Sequence, residues 1–460
     1  MGKIFETDWL ASVPVFYNEV NGQASHNIND VIDLAGFEFH PEGFNNYLDF
    51  GYSILGQTPI KHVKFLRHSS RLTIHENNKL TIENFDDPVD KWIGKTSHED
   101  EVFHLLQSSV NQWERSVEGE IVIPTSGGYD SRLLNWLIED KSRIRAFTYG
   151  VTEEQSRSHE VVYAAKLSEI LGIQWERVPL GNFHNYFEEW HNQFGVATHA
   201  HGMYQIEFYK KILPKIHGHN PVLSGIMGGN LSKLLEYEQL HSYSDLVKLS
   251  YIGTRGGMRA DMTQSQFPAT DDIRQRFWDE HREKLQDLFY QVIERIRIKI
   301  MLLSYLVSVP QALGFTVKSP YIEPDIARAM LTLPPERRKM RVWQEDFFKK
   351  QGIWVDDMGL KGSILNNLNY QAMRRVPLKP LDMKLLREVI KPSYVEWINR
   401  HISRKGRLLH AYYSLRRLPD VLAITQRVGI RDMRLEAYCA YLTLKPIETI
   451  LKKRQALQRS

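Results

Sequence analysis

The stretch Ile121-Val122-Ile123-Pro124-Thr125-Ser126-Gly127-Gly128-Tyr129-Asp130-Ser131-Arg132-Leu133-Leu134 decides the fold. Its first three residues are apolar and β-branched, which suits a strand buried inside a parallel sheet. Ser126, Gly127 and Gly128 then remove bulk where the backbone must turn sharply. From Ser131 onward Leu133, Leu134, Leu137 and Ile138 recur at helical spacing. Strand, glycine-rich turn and helix together make an anion site, because unpaired N–H groups and the positive end of the helix dipole face one point. Asp130 stands inside the turn, where a carboxylate beside a polyphosphate ordinarily holds a bridging Mg2+. The same residues also suit a plain connector, with Asp130 or Ser131 capping the helix.

Ser126-Gly127-Gly128-Tyr129-Asp130-Ser131 resembles the SGGxDS loop of the ATP pyrophosphatases, and its flanking strand and helix resemble the synthetase domain of the asparagine synthase family. The likeness covers about residues 97–362. It implies an α/β fold of the HUP-like ATP pyrophosphatase type, a parallel sheet with helices on both faces. It also implies an enzyme that cleaves ATP between the α and β phosphates, adenylates a carboxylate and lets an amine displace AMP to leave an amide. ATP and Mg2+ are the implied cofactors. Thr125, Ser126, Gly127, Gly128, Tyr129, Asp130 and Ser131 would surround the phosphates, with Asp130 on the metal.

Bulk properties agree with a globular protein. The 460 residues suggest two or three domains, and 42% hydrophobic with 25% charged residues is ordinary for such a chain. No apolar run approaches the ~18 residues of a membrane span. Met1-Gly2-Lys3-Ile4-Phe5-Glu6 lacks the apolar core of a signal peptide, so a cytoplasmic location is expected. Cys439 is the only cysteine, which rules out an internal disulfide and fits a reducing compartment. Glutamine-dependent members of the asparagine synthase family begin, after Met removal, with a nucleophilic Cys. Gly2 stands there in this chain, so the resemblance implies an amine from free ammonia, from a separate ammonia-supplying protein, or from the substrate itself.

Three regions are expected. Residues 1–95 read as a small, mostly β domain, with a hairpin of Leu72, Ile74, Leu80 and Ile82 around Asn77-Asn78, and resemble a degenerate amidotransferase-like domain. Residues 96–362 hold the synthetase-like domain. Its helix over 97–119 has Ser97 as a candidate cap. Strands at 145–150 and 173–180 flank a helix over 158–171 that Gly172 ends. Residues 363–460 form a basic, helical extension: from Lys361 onward there are 21 Lys and Arg against 7 Asp and Glu. Such an excess fits nucleic acid, another acidic partner, a membrane surface or simply a solvated face.

The family's other site positions map onto Thr148, Tyr149 and Glu160 after the second strand, and onto Ser224-Gly225 after the strand that ends at Leu223. For Glu160, a plain charge at a helix N-terminus is the competing reading. Acidic residues usually follow that Ser-Gly; here Ile226, Met227, Gly228, Gly229 and Asn230 follow, leaving Asn230 as a neutral metal ligand. His199, His201 and Glu207, in a stretch rich in aromatics, are candidates for substrate contact or base. Packed histidines and a His-x-His metal pair are the alternatives. Lys318 to Asp325 and Leu333 to Glu336 resemble family segments that precede a Lys on the leaving pyrophosphate. Trp343 and Gln344 occupy its expected place, so Lys349, Lys350 and Lys361 are the nearest cations. Tyr251 to Arg259 is a glycine-rich loop without Walker spacing, with Arg255 and Arg259 as further phosphate candidates.

The resulting expectation is an ATP-dependent ligase or amidotransferase. It would join a small-molecule or peptide carboxylate to ammonia or a substrate amine, in surface polysaccharide or natural-product biosynthesis. A tRNA-modifying adenylating enzyme and a nucleotide-binding pseudoenzyme are the other readings.

Overall fold

The computed structural model describes residues 3–218, 220–250, 257–403 and 432–459. Two three-stranded antiparallel sheets come first: β1 (Lys3–Glu6) with β5 (Ser70–Ile74) and β6 (Leu80–Asn84), and β2 (Phe16–Asn18) between β3 (Ala24–Ser25) and β4 (Val63–Phe65). The expected hairpin is β5–β6, with Leu72 opposite Ile82 and Asn78 left-handed at φ 58°. Helix α1 (Pro41–Phe50) packs beside them, and α2 (Glu99–Ser116) leads into the central sheet. His98, not Ser97, precedes α2; the Ser97 hydroxyl instead donates to the Ala329 carbonyl.

The central sheet has five strands, all parallel: β7 (Ile121–Pro124), β8 (Ile144–Thr148), β9 (Gln174–Arg177), β10 (Pro221–Leu223) and β11 (Thr316–Lys318). Their order is β11-β10-β7-β8-β9. The chain thus builds outward from β7 to β9, then returns to the other side of β7, and the order reverses between β7 and β10. Alternation along the strands explains the layers. Ile121, Ile123, Ile144 and Leu223 face a core with α2, α3 (Tyr129–Leu137) and α4 (His159–Leu171). Val122, Phe147 and Val222 face the opposite core, with α6 (Met203–Ile212) and the helix Tyr305–Ala312. Helices therefore cover both faces, and the chain is α/β.

The larger core also takes in residues near both ends of the chain. Phe44 and Tyr47 of α1 and Tyr438 and Leu442 of the helix Met433–Leu457 belong to it, and the Tyr47 hydroxyl donates to the Thr443 carbonyl at 2.8 Å. The last helix of the basic extension is thus a core element, and Cys439 is buried in it. Its Lys445 and Lys452 both pair with the fully buried Glu448. Residues 404–431 and 251–256, and with them Arg255, lie outside the described residues. Arg259 pairs with Asp49 of α1 at 3.1 Å, away from the central sheet. No helix among the described residues is long and apolar enough to cross a membrane.

Candidate functional site

In open parallel sheets, ligands lie beyond the carboxyl ends of the strands where the strand order reverses. A cavity of about 220 Å³ opens there, at the ends of β7, β8 and β10. Thr125 and Ser126 line it from the loop after β7, Thr148 and Tyr149 from the last residue of β8 and the one after it, and Ser224 from the turn after β10. Glu160 closes one side, while Phe147, Phe208 and Tyr209 give it aromatic walls. Residues expected from three separate segments therefore meet at one place.

The loop is held from beneath. Asn135, fully buried on α3, donates to the Thr125 hydroxyl at 2.9 Å, and Arg132 donates to the Gly127 carbonyl at 2.8 Å. Gly127 takes φ +70°, and a Cβ there would stand 2.5 Å from the Tyr163 Cβ. The loop therefore needs glycine for both conformation and space. No side chain caps α3, so donors of its first turn stay available at the crevice. The Ser126 backbone N–H reaches the Ser131 hydroxyl at 3.2 Å. Thr125 and Thr148 contribute mostly to the frame: Trp175 donates to the Thr148 hydroxyl at 2.9 Å, which in turn donates to the Thr125 carbonyl.

Asp130 turns away from the cavity, toward Gly228 and Gly229 of α7 (Gly228–Ser232). The Gly229 N–H donates to its carboxylate, and Arg341 stands 3.3 Å away. Burial pushes the carboxyl up from its ordinary range, against the pull of Arg341, Lys233 and that N–H. Gly225 packs against it, a Cβ there lying 3.3 Å from the Asp130 Cβ. Tyr321, from the 318–325 stretch, donates its hydroxyl to the Asp130 carbonyl at 3.0 Å.

The donor set does not fit a protein-held Mg2+. Asp130 is a lone carboxylate already engaged by a guanidinium and an N–H, with Lys233 as a second cation. Asn230 follows on α7 and adds at most a neutral oxygen. Among the described residues, no three of His, Cys, Asp and Glu cluster closely enough to hold an ion.

The remaining candidates lie elsewhere. His199 is buried against Gly51, its ring accepting the His201 N–H at 3.2 Å, and burial pulls its pKa well down. The His201 ring lies 5.4 Å from that of Tyr204 and burial pulls it to about 4, far from the range of an efficient base at neutral pH. Glu207 is fully buried and accepts the N–H groups of Gly181 and Asn182 at 3.1 and 2.9 Å, with Lys211 at 2.7 Å. Lys361 is exposed, two residues before Ser363, which pairs with the Arg157–His159 turn at the start of α4. Lys349 is bound to Glu345 at 2.6 Å. Arg341 and Lys233, the cations nearest Asp130, were not anticipated. Lys233 is the first cation after Ser224-Gly225, a usable signal; Arg341 carries none.

Compared with known families and with curated proteins, the chain matches no family model and no curated protein.

Proposed function

We propose that this chain is an ATP-dependent amide-forming ligase of the asparagine-synthase-like kind, built on a HUP-like sheet. The observation that carries this reading is the meeting of Thr125, Ser126, Thr148, Tyr149, Glu160 and Ser224 around one cavity at the strand-order reversal. Its aromatic walls suit a purine, and the α3 N-terminus beside it suits phosphate. In the reaction, a carboxylate oxygen attacks the α-phosphorus and the bond to pyrophosphate breaks. An amine nitrogen then attacks the acyl carbon, AMP leaves with the bonding pair, and the nitrogen gives up a proton. The loop N–H groups position the phosphates, and cations beside them oppose the charge that gathers on the leaving pyrophosphate. The amine is ammonia, free or supplied by a separate protein, or belongs to the substrate, a small-molecule or peptide acid.

The first test is calorimetric titration of the purified chain with ATP, followed by a screen of acids and amines for release of AMP and pyrophosphate. Binding with turnover supports the ligase. Binding without turnover across the screen leaves a nucleotide-binding pseudoenzyme, and absence of binding overturns the reading.

A further inference from the structure

We propose that Arg341, backed by Lys233, takes the place of a divalent ion at Asp130, so that this site binds a polyphosphate without a metal held by the protein. The inference rests on the nucleotide reading above for the identity of the ligand, but its geometry stands apart from it.

Arg341 Nη1 lies 3.3 Å from Asp130 Oδ1, and the guanidinium covers the Tyr129 ring at 5.3 Å. One long hydrogen bond leaves most of its five N–H donors uncommitted, and the planar fork matches phosphate oxygens. The backbone is bent to bring it there. Met340 and Arg341 are consecutive left-handed residues, at φ 51° and 60°, and neither is Gly or Asn. Such strain persists where the surroundings enforce it, and it gathers at functional sites. Space is kept for the pair as well. A Cβ on Gly228 would sit 2.8 Å from the Asp130 Cγ, and one on Gly229 would sit 2.8 Å from Arg341 Nη2. The Gly-Gly that stands where acidic residues were expected thus makes room for a cation.

Positive charge continues behind Arg341. Lys233 is half-buried, with Arg341, Asp130 and Arg295 around it, and its ammonium makes no hydrogen bond or ion pair among the described residues. Lys299 has no acidic partner among the described residues either; burial, with Arg295 and Lys233 nearby, lowers its pKa to about 8. Asp130, together with Glu238, which pairs with Arg295 at 3.7 Å, answers only part of this charge. A multiply charged anion across the mouth of the loop supplies the remainder, which is the service a metal gives when carboxylates dominate a site.

The experiment is calorimetric titration of the full chain with ATP, adenosine and inorganic pyrophosphate, each in EDTA and in Mg2+. ATP binding in EDTA within about threefold of that in Mg2+ is expected, a difference of under ~1 kcal/mol. Arg341→Ala is expected to weaken ATP and pyrophosphate about tenfold or more and leave adenosine unchanged, as loss of a charged fork predicts. Lys299→Met gives a second variant should Arg341→Ala fail to fold, with the same sign expected. ATP binding that appears only with Mg2+ overturns the inference and spares the nucleotide reading. If neither ATP nor adenosine binds, the nucleotide reading fails. Pyrophosphate then decides the inference: binding in EDTA that needs Arg341 upholds it, and no binding ends it.

Discussion

Arg132 Nη2 donates to the Gly127 carbonyl at 2.8 Å, so the residue just after the Ser126–Ser131 motif holds the turn from inside the protein. The same guanidinium binds Asp356 at 2.8 Å and lies under Tyr129, Phe348 and Trp354. Its side chain is 1% exposed, whereas that of Asp356 keeps 30%. Arg132→Met is therefore expected to cost about 2–3 kcal/mol, below the ~3–5 of a fully buried broken pair because Asp356 still reaches water. Urea unfolding measures the loss, and ATP titration of the folded fraction should show weaker binding. A variant as stable as wild type would remove Arg132 from this role.

The two loop glycines should respond differently. At Gly127, positive φ and the 2.5 Å approach to Tyr163 both oppose a side chain. At Gly128, φ is −72°, and the nearest atom to an added Cβ is the Ser126 hydroxyl oxygen at 3.2 Å. Gly127→Ala is expected to lose about 2 kcal/mol or more together with ATP binding, whereas Gly128→Ala stays within about 0.5 kcal/mol of wild type. Parallel melting curves and titrations separate the two; equal behaviour would show that the loop relaxes freely.

The first strand, turn and helix of the sheet were legible because each carried a strong local signal: a buried apolar run, a glycine pair, then helical spacing. β11 had no such signal. Thr316-Val317-Lys318 is a short edge strand, only partly buried, and pairing with β10 rather than composition makes it a strand. The helix Met433–Leu457 read as part of a basic tail because Lys452, Lys453 and Arg454 crowd its end, while its middle, from Ala437 to Leu451, is buried on almost every side. Arg341 was out of reach altogether, since no residue type announces two consecutive left-handed positions without Gly or Asn. The cavity residues from β7, β8 and β10 were legible through motif resemblance, yet Thr125 and Thr148 spend their hydroxyls on the frame.

Glu207 is expected to act on stability, not chemistry. Its carboxylate is fully buried and answers two backbone N–H groups and Lys211. Glu207→Gln keeps the shape but weakens charge-assisted bonds, for an expected loss of about 1–3 kcal/mol. ATP affinity should stay within about twofold of wild type, since the side chain lies outside the cavity. A large fall in turnover with unchanged stability would return Glu207 to the catalytic set.

Acid should unfold the protein through its buried histidines. The Val376 carbonyl can only accept, so the neutral His184 ring carries its proton on Nδ1, 2.8 Å away, and Nε2 accepts from the Tyr438 hydroxyl at 2.8 Å. Burial pulls this pKa from 6.5 to about 4. Between those values the unfolded chain binds a proton that the folded one refuses, so stability rises with pH across the window and falls as pH drops through it. One such ring contributes about 1.4 kcal/mol per pH unit. His201, drawn to about 4, and His191, drawn to about 3, add the same sign. The urea midpoint should therefore hold steady above about pH 7 and fall steeply below about pH 6. His184→Asn keeps a donor for Val376 and removes the titrating ring, so its slope between about pH 5 and 6 should be shallower by about 1.4 kcal/mol per unit. An unchanged slope would mean that His184 is not among the groups that acid attacks.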